Sequence, residues 1–200
     1  MKTGVSRSTV REALRLLASQ HLIVTTRGVT GGSFVAHPDA EQLADGLAAG
    51  FTLLTNSADV GIADMLELRR ALEVPAAGLA AARRTEEHLI EIRSALFDPD
   101  VDDFETMMAA HAAFHMAVAK ATGNPLFELV VRPLYHAKYG EDVTVNLPMD
   151  YWRQIDADHR GLSDFLAARD VESARRAAST HLDYVGESTR EREVIPQYGG

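Results

Sequence analysis

The sequence predicts a mainly α protein: an antiparallel all-helical bundle with short loops, preceded by a small appendage of one helix and one β-hairpin. Three observations carry this expectation. From Ala40 onward apolar residues recur at helical spacing, with no second set of strand-like runs. Before that point, "LIVTTRGVTGGSFVA" pairs two β-prone runs around a glycine-containing tip. Between the helical stretches the breaks are short and built from turn residues, as in "TGNP" at 122–125.

The elements follow in order. In "SRSTVREALRLLASQHLI", Val10, Leu14, Leu17 and Leu22 fall near helical spacing, with Ser6 or Ser8 placed to cap the start. Gly28, Gly31 and Gly32 lie near the turn of the hairpin that follows. His37-Pro38-Asp39 reads as a linker, because proline disfavours helix at the residue before it and Asp39 can cap what comes next. The expected organisation is therefore an appendage over 1–37, a helical domain over 38–192 and a tail over 193–200. Helices are expected at 40–55, 60–83, 85–97, 101–121, 125–138, 149–168 and 171–190. Pro75 should kink the second of these, Gly123 suits a helix C′ position, Asn124 can cap the next helix and Pro125 suits its first turn.

Composition narrows the function classes. The chain has 200 residues, 46% of them hydrophobic, enough for one good core and a small addition. It has no cysteine, so disulfides and thiolate metal sites are excluded and a transition-metal site must use histidine and carboxylate. The N-terminus lacks the apolar core of a signal peptide and no apolar run approaches the ~20 residues of a membrane span, so a soluble, cytoplasmic protein without a membrane partner is expected. Net charge is −9 and uneven: residues 1–36 hold Lys2, Arg7, Arg11, Arg15 and Arg27 against Glu12, whereas the remainder holds 15 basic and 28 acidic residues. Such a division fits a basic appendage that meets a polyanion and an acidic body that does not.

The stretch "HAAFHMAVAKATGNP" places His111 and His115 four residues apart in an otherwise apolar run. They share a stripe with Phe104, Met108 and Val118, so both face the core and can converge on one ion. His181 shares a stripe with Ala174, Ala177, Ala178 and Val185. Two readings stay open on these residues alone: core imidazoles satisfied by neighbours, or ligands of a metal held inside the bundle.

Two groups of segments resemble a known family. "GVSRSTVREALRLLASQHLIVTTRGVTGGSFVA" is similar to the second half of the winged helix-turn-helix of GntR-family transcription regulators, that is, recognition helix, strand, glycine-tipped wing and closing strand. "LELRRALEVPAAGLAAARRT", "HAAFHMAVAKATGNPLFELV" and "HRGLSDFLAARDVESARRAASTHL" resemble the FCD effector domain of the FadR-type subgroup. The family's winged helix normally has two more helices before "GVSR", so the resemblance implies that this sequence holds only the second part of one. The expectation is that this chain alone binds operator DNA weakly or not at all.

The resemblance implies a repressor that acts as a homodimer on a palindromic operator, controlled by a small carboxylate effector bound at a metal in the helical domain. The matched ligands are His115, His159 and His181, with His111 where the family usually has aspartate. Imidazole ligands favour zinc, with nickel the alternative. Arg69 matches an arginine of the family's effector cavity and Asn124 another matched position; against these, Arg69 can pair with Glu73 at i, i+4 as an ordinary helix pair, and Asn124 is explained by capping. For DNA the matched residues are Ser6, Arg7, Ser8, Thr9 and Arg11, with Gly31 and Gly32 in the wing. Two rivals are a metal-dependent, hydrolase-like helical enzyme and a truncated dimerisation partner that does not bind DNA. The enzyme is disfavoured because no carboxylate beside the histidine motifs forms a general-base pattern, and because it leaves the basic appendage without a role.

Overall fold

The computed structural model describes residues 4–20, 22–28, 31–36, 40–56, 60–136 and 147–193. In chain order the elements are α1 (Arg7–Ser19), β1 (Ile23–Thr26), β2 (Gly32–Val35), α2 (Ala40–Asn56), α3 (Ile62–Arg83), α4 (Glu86–Ser94), α5 (Phe104–Ala121), α6 (Pro125–His136), α7 (Met149–Ala167) and α8 (Val171–Glu193). The chain divides into two compact units, Met1–Leu43 and Ala44–Gly200. The linker expected at His37-Pro38-Asp39 and the tail beyond Glu193 lie outside the described residues.

In the first unit, Ser6 rather than Ser8 caps α1: its backbone is extended and its Oγ accepts from Thr9 N at 3.2 Å. None of the residues of α1 is buried. β1 and β2 pair antiparallel, with Ile23 opposite Val35 and Thr26 opposite Gly32. Glycine is required at the tip, where Gly28 has φ +121° and a Cβ on Gly31 would lie 2.5 Å from the Thr26 carbonyl oxygen.

In the second unit, the expected helices form with shifted ends. α4 stops at Ser94, ahead of Pro99, which disfavours helix at Asp98, and α5 starts at Phe104 because Asp103 Oδ1 accepts from Thr106 N at 2.8 Å. α3 runs through Pro75 to Arg83. Gly123 adopts φ +69° after α5, and Asn124 Oδ1 accepts from Leu126 N at 3.1 Å at the start of α6.

One core cluster joins Ala77, Ala80 and Ala81 of α3 to Phe114 and Val118 of α5, Leu162 and Leu166 of α7, and Ala174 and Ala178 of α8. A second surrounds Trp152 with Phe97, Met107, Tyr151, Ile155 and Val185. Small residues on α3 let α8 lie close: a Cβ on Gly78 would come within 2.4 Å of Arg175 Nε. That proximity sets α3 beside the helix that carries His181.

Candidate metal centre

Four histidines meet inside the second unit. His111 and His115 stand one turn apart on α5, His159 comes from α7 and His181 from α8; all four are buried. One ring nitrogen from each lies within 4.8 Å of the other three. Two ligands of one ion at zinc–nitrogen distances of 2.0–2.1 Å can be no more than ~4.2 Å apart, so the cluster is close to the size that an ion needs.

Hydrogen bonds show which nitrogens are available. His115 Nδ1 lies 2.8 Å from Glu73 Oε2 and His181 Nδ1 lies 3.2 Å from Asp158 Oδ2. Nε2 of both rings, both nitrogens of His159 and Nδ1 of His111 are buried without a hydrogen-bond partner. Each such orphan costs ~1–3 kcal/mol in an ordinary core. One nitrogen from each of four rings gathered in one small region, with no hydrogen bond to Nε2 of His115 and His181, to Nδ1 of His111 or to either nitrogen of His159, suits a Lewis acid better than a structural role, so the residues fit a divalent metal.

The electrostatics point the same way. Burial, followed by the neighbouring rings, pushes His111 and His159 well below the ordinary imidazole range. Burial also pushes His115 down to about 4, outweighing the pull of Glu73. Neutral imidazole is the form that donates a lone pair to a metal. For Glu73, burial acts to raise the carboxyl, but Arg69 and His115 together outweigh it and hold the group well below the usual carboxylate range.

Ring packing holds the cluster. His159 stacks on Phe114 with centroids 4.0 Å apart and on His111 at 5.1 Å. Tyr135 of α6 stacks on His115 at 4.8 Å. Trp152, the single tryptophan of the chain, meets His111 edge-on at 6.4 Å.

Arg69 is placed beside this cluster. It is largely buried, with Nε 2.7 Å from Glu73 Oε1, Nη2 donating to the Tyr135 hydroxyl and its guanidinium carbon 4.6 Å from the Tyr135 ring centre. The Tyr135 hydroxyl in turn donates to Glu73 Oε2 at 2.8 Å. The pairing of Arg69 with Glu73 anticipated from their spacing is present, but inside the protein rather than on an exposed face. A cavity of about 10 Å³, room for one water-sized occupant, lies among Glu73, Ala77, His115, Leu162 and His181.

The other anticipated residues sit elsewhere. Asn124 makes its capping contact at α6. Ser6, Arg7, Ser8, Thr9 and Arg11 occupy the start of α1, exposed, with Ser6 Oγ 2.7 Å from Ser8 Oγ and 2.8 Å from Thr9 Oγ1. Gly31 and Gly32 close the hairpin turn. Sequence reasoning passed over Asp158 and Tyr135 and gave Glu73 no role toward the histidines. For Glu73 the available signal was a carboxylate in an apolar run; for Asp158 and Tyr135 there was none.

Comparison with known proteins agrees with this architecture. Residues 64–184 match the family of FCD domains. The chain is 37% identical over 191 residues to the HTH-type transcriptional regulator LutR of Bacillus subtilis (strain 168), covering 90% of this chain and 83% of that protein. It is 28% identical over 202 residues to the galactonate operon transcriptional repressor of Escherichia coli (strain K12), covering 96% and 83%. A solved structure of Streptococcus agalactiae GntR shares the fold, with a TM-score of 0.59 at 21% identity over 92% of this chain and 83% of that one. These relatives are transcription regulators, not enzymes. No described helix is long and apolar enough to cross a membrane.

Proposed function

The chain belongs to the GntR family of transcription regulators, in the FadR-type group with an FCD domain, and on that premise we propose that it is a metal-dependent, carboxylate-responsive repressor. In this reading His111, His115, His159 and His181 hold a divalent ion, zinc or alternatively nickel. The observation that carries it is the convergence of buried ring nitrogens without hydrogen bonds. When bound, an ion held by neutral imidazoles alone leaves the site at about +2, which favours an anion in an open coordination position.

A small carboxylate supplies that anion. The name of the galactonate operon repressor, a relative, is that of a sugar acid, which supports the ligand class. Arg69 offers the second point of attachment, because its planar fork matches a carboxylate. Asn124, at the start of α6, is the further effector contact of this reading. The cavity of about 10 Å³ is too small for such an acid, so the effector selects a more open packing of α3, α5 and α6. That population shift resets the operator-binding units of a homodimer on a palindromic site. In those units Ser6, Ser8 and Thr9 meet phosphates at the helix N-terminus, Arg7 and Arg11 read the major groove, and the Gly31–Gly32 tip enters the narrower groove.

Elemental analysis of the purified protein tests the metal, and calorimetric titration of the loaded protein with a panel of small hydroxy-carboxylates tests the effector. Stoichiometric zinc or nickel and saturable binding of an acid are expected. A metal-free protein that resists reloading ends this reading.

A further inference from the structure

Two carboxylates stand behind two of the four rings without reaching the nitrogens that face inward. Glu73 on α3 lies 2.8 Å from His115 Nδ1, and Asp158 on α7 lies 3.2 Å from His181 Nδ1. In both rings the opposite nitrogen, Nε2, is buried and has no hydrogen-bond partner. A neutral imidazole carries one proton and an ionised carboxylate can only accept, so the proton sits on Nδ1 and the lone pair on Nε2.

We propose that Glu73 and Asp158 are positioning residues of the metal site, each fixing its histidine in the Nδ1–H form so that Nε2 is presented to the ion. This inference rests on the reading of the histidines as ligands. It gives a role toward the histidines to two residues that the periodicity of the helices does not link to them.

The two carboxylates are themselves held. Glu73 accepts from Arg69 Nε at 2.7 Å and from the Tyr135 hydroxyl at 2.8 Å, so its rotamer is set from α3 and α6 while it orients a ring on α5. Arg69 and Tyr135 thus act on His115 through Glu73. Asp158 accepts on its other oxygen from Gln154 Nε2 at 2.8 Å, one turn earlier on α7. Because Asp158 precedes His159, α7 supplies one ligand of its own and orients the ligand of α8. His159 differs: neither of its nitrogens has a hydrogen bond, and stacking on Phe114 takes the place of a carboxylate. Partners behind ligand rings typically contribute 10–100-fold to metal affinity, through ring orientation and ligand basicity.

The test combines two readouts. Long-range proton–nitrogen correlation on the metal-free protein, labelled with 15N histidine, should find His115 and His181 protonated on Nδ1; the Nε2–H form at either ring overturns the assignment for that ring. Zinc competition titrations with a chromophoric chelator should then show binding weakened roughly 10–100-fold in Asp158→Ala and less in Asp158→Asn, which keeps an acceptor. The visible absorption of the cobalt-loaded protein should shift in the same order. Asp158 is partly exposed, at 16%, so these variants are expected to fold, and circular dichroism checks it. Glu73→Gln is the companion variant, read in the same way wherever it folds. Wild-type affinity and an unchanged cobalt spectrum in Asp158→Ala overturn the proposal while leaving the metal reading intact. A wild-type protein that takes up no zinc or cobalt ends both.

Discussion

The ring of Phe114 lies nearly parallel to that of His159, with centroids 4.0 Å apart and 7° between the ring planes, so a core side chain of α5 orients a histidine of α7 that no hydrogen bond holds. Phe114 is fully buried in the larger core cluster as well. Phe114→Leu should cost about 1–2 kcal/mol of stability, as a change of shape within a packed core. It should also weaken metal binding by more than that loss of packing explains, because His159 gains freedom to rotate. Chemical denaturation and a metal titration on the same variant separate the two effects. Unchanged metal affinity would show that the stack is packing alone.

Removing the ion should loosen the bundle. The histidines come from α5, α7 and α8, so an ion bound only by the folded chain stabilises it by about 2.7 kcal/mol when free metal is 100 times its Kd. For a domain of this size each kcal/mol moves Tm by about 2–4 °C, so a chelator should lower Tm by several degrees. His115→Ala or His181→Ala should lose the ion and the response to chelator together. His111→Asp should keep both. Full occupancy in His181→Ala would return these residues to the ordinary core.

Acid should destabilise the metal-free protein. The unfolded chain takes up protons on its histidines near their ordinary value of 6.5, whereas burial holds His115 down to about 4 and His111 and His159 well below the ordinary value in the folded chain. Between those values the unfolded state binds more protons, so the stabilising contribution is complete above about pH 6.5 and is lost as pH falls toward 4. For His115 this is roughly 3 kcal/mol at ~1.4 kcal/mol per unit. Glu73, held low mainly by Arg69 against the effect of burial, adds a loss in the same direction below its ordinary 4.5. Denaturation midpoints in chelator should fall steadily between about pH 7 and about pH 5; a flat profile would mean that the rings take up protons equally in the folded and unfolded states and that burial does not depress them.

On DNA, in a form that carries the complete winged helix, Arg7→Ala should cost about 1–3 kcal/mol of specific binding at a base-specific contact, and Gly31→Ala should weaken binding by distorting the turn, where a Cβ would meet the Thr26 carbonyl oxygen at 2.5 Å. Fluorescence anisotropy with operator and scrambled duplexes checks both. An Arg7→Ala protein with unchanged discrimination removes Arg7 from the readout.

Much of the fold was legible because each helix carries strong periodicity and each loop carries its own punctuation. "TGNP" forms the turn its residues encode, with Gly123 in the left-handed region and Asn124 capping α6. Helix ends were less legible, since Asp103 and Pro99 outrank the apolar pattern over 95–103. The spacing of His111 and His115 and the stripe of His181 were readable along single helices. The link from Asp158 to His181, and that from Glu73 and Tyr135 to His115, cross between helices and leave no periodic trace. The i, i+4 spacing of Arg69 and Glu73 was visible, but not that the pair is buried.

The placement of Trp152 gives the protein an optical reporter of its own. As the single tryptophan, with its ring 6.4 Å from that of His111, its fluorescence isolates one corner of the histidine cluster from the rest of the molecule. A paramagnetic ion such as nickel or copper quenches an indole at this range, whereas zinc, with a filled d shell, leaves the emission bright. The colourless and the quenching ions can therefore be told apart, and their exchange followed in real time, without attaching any dye.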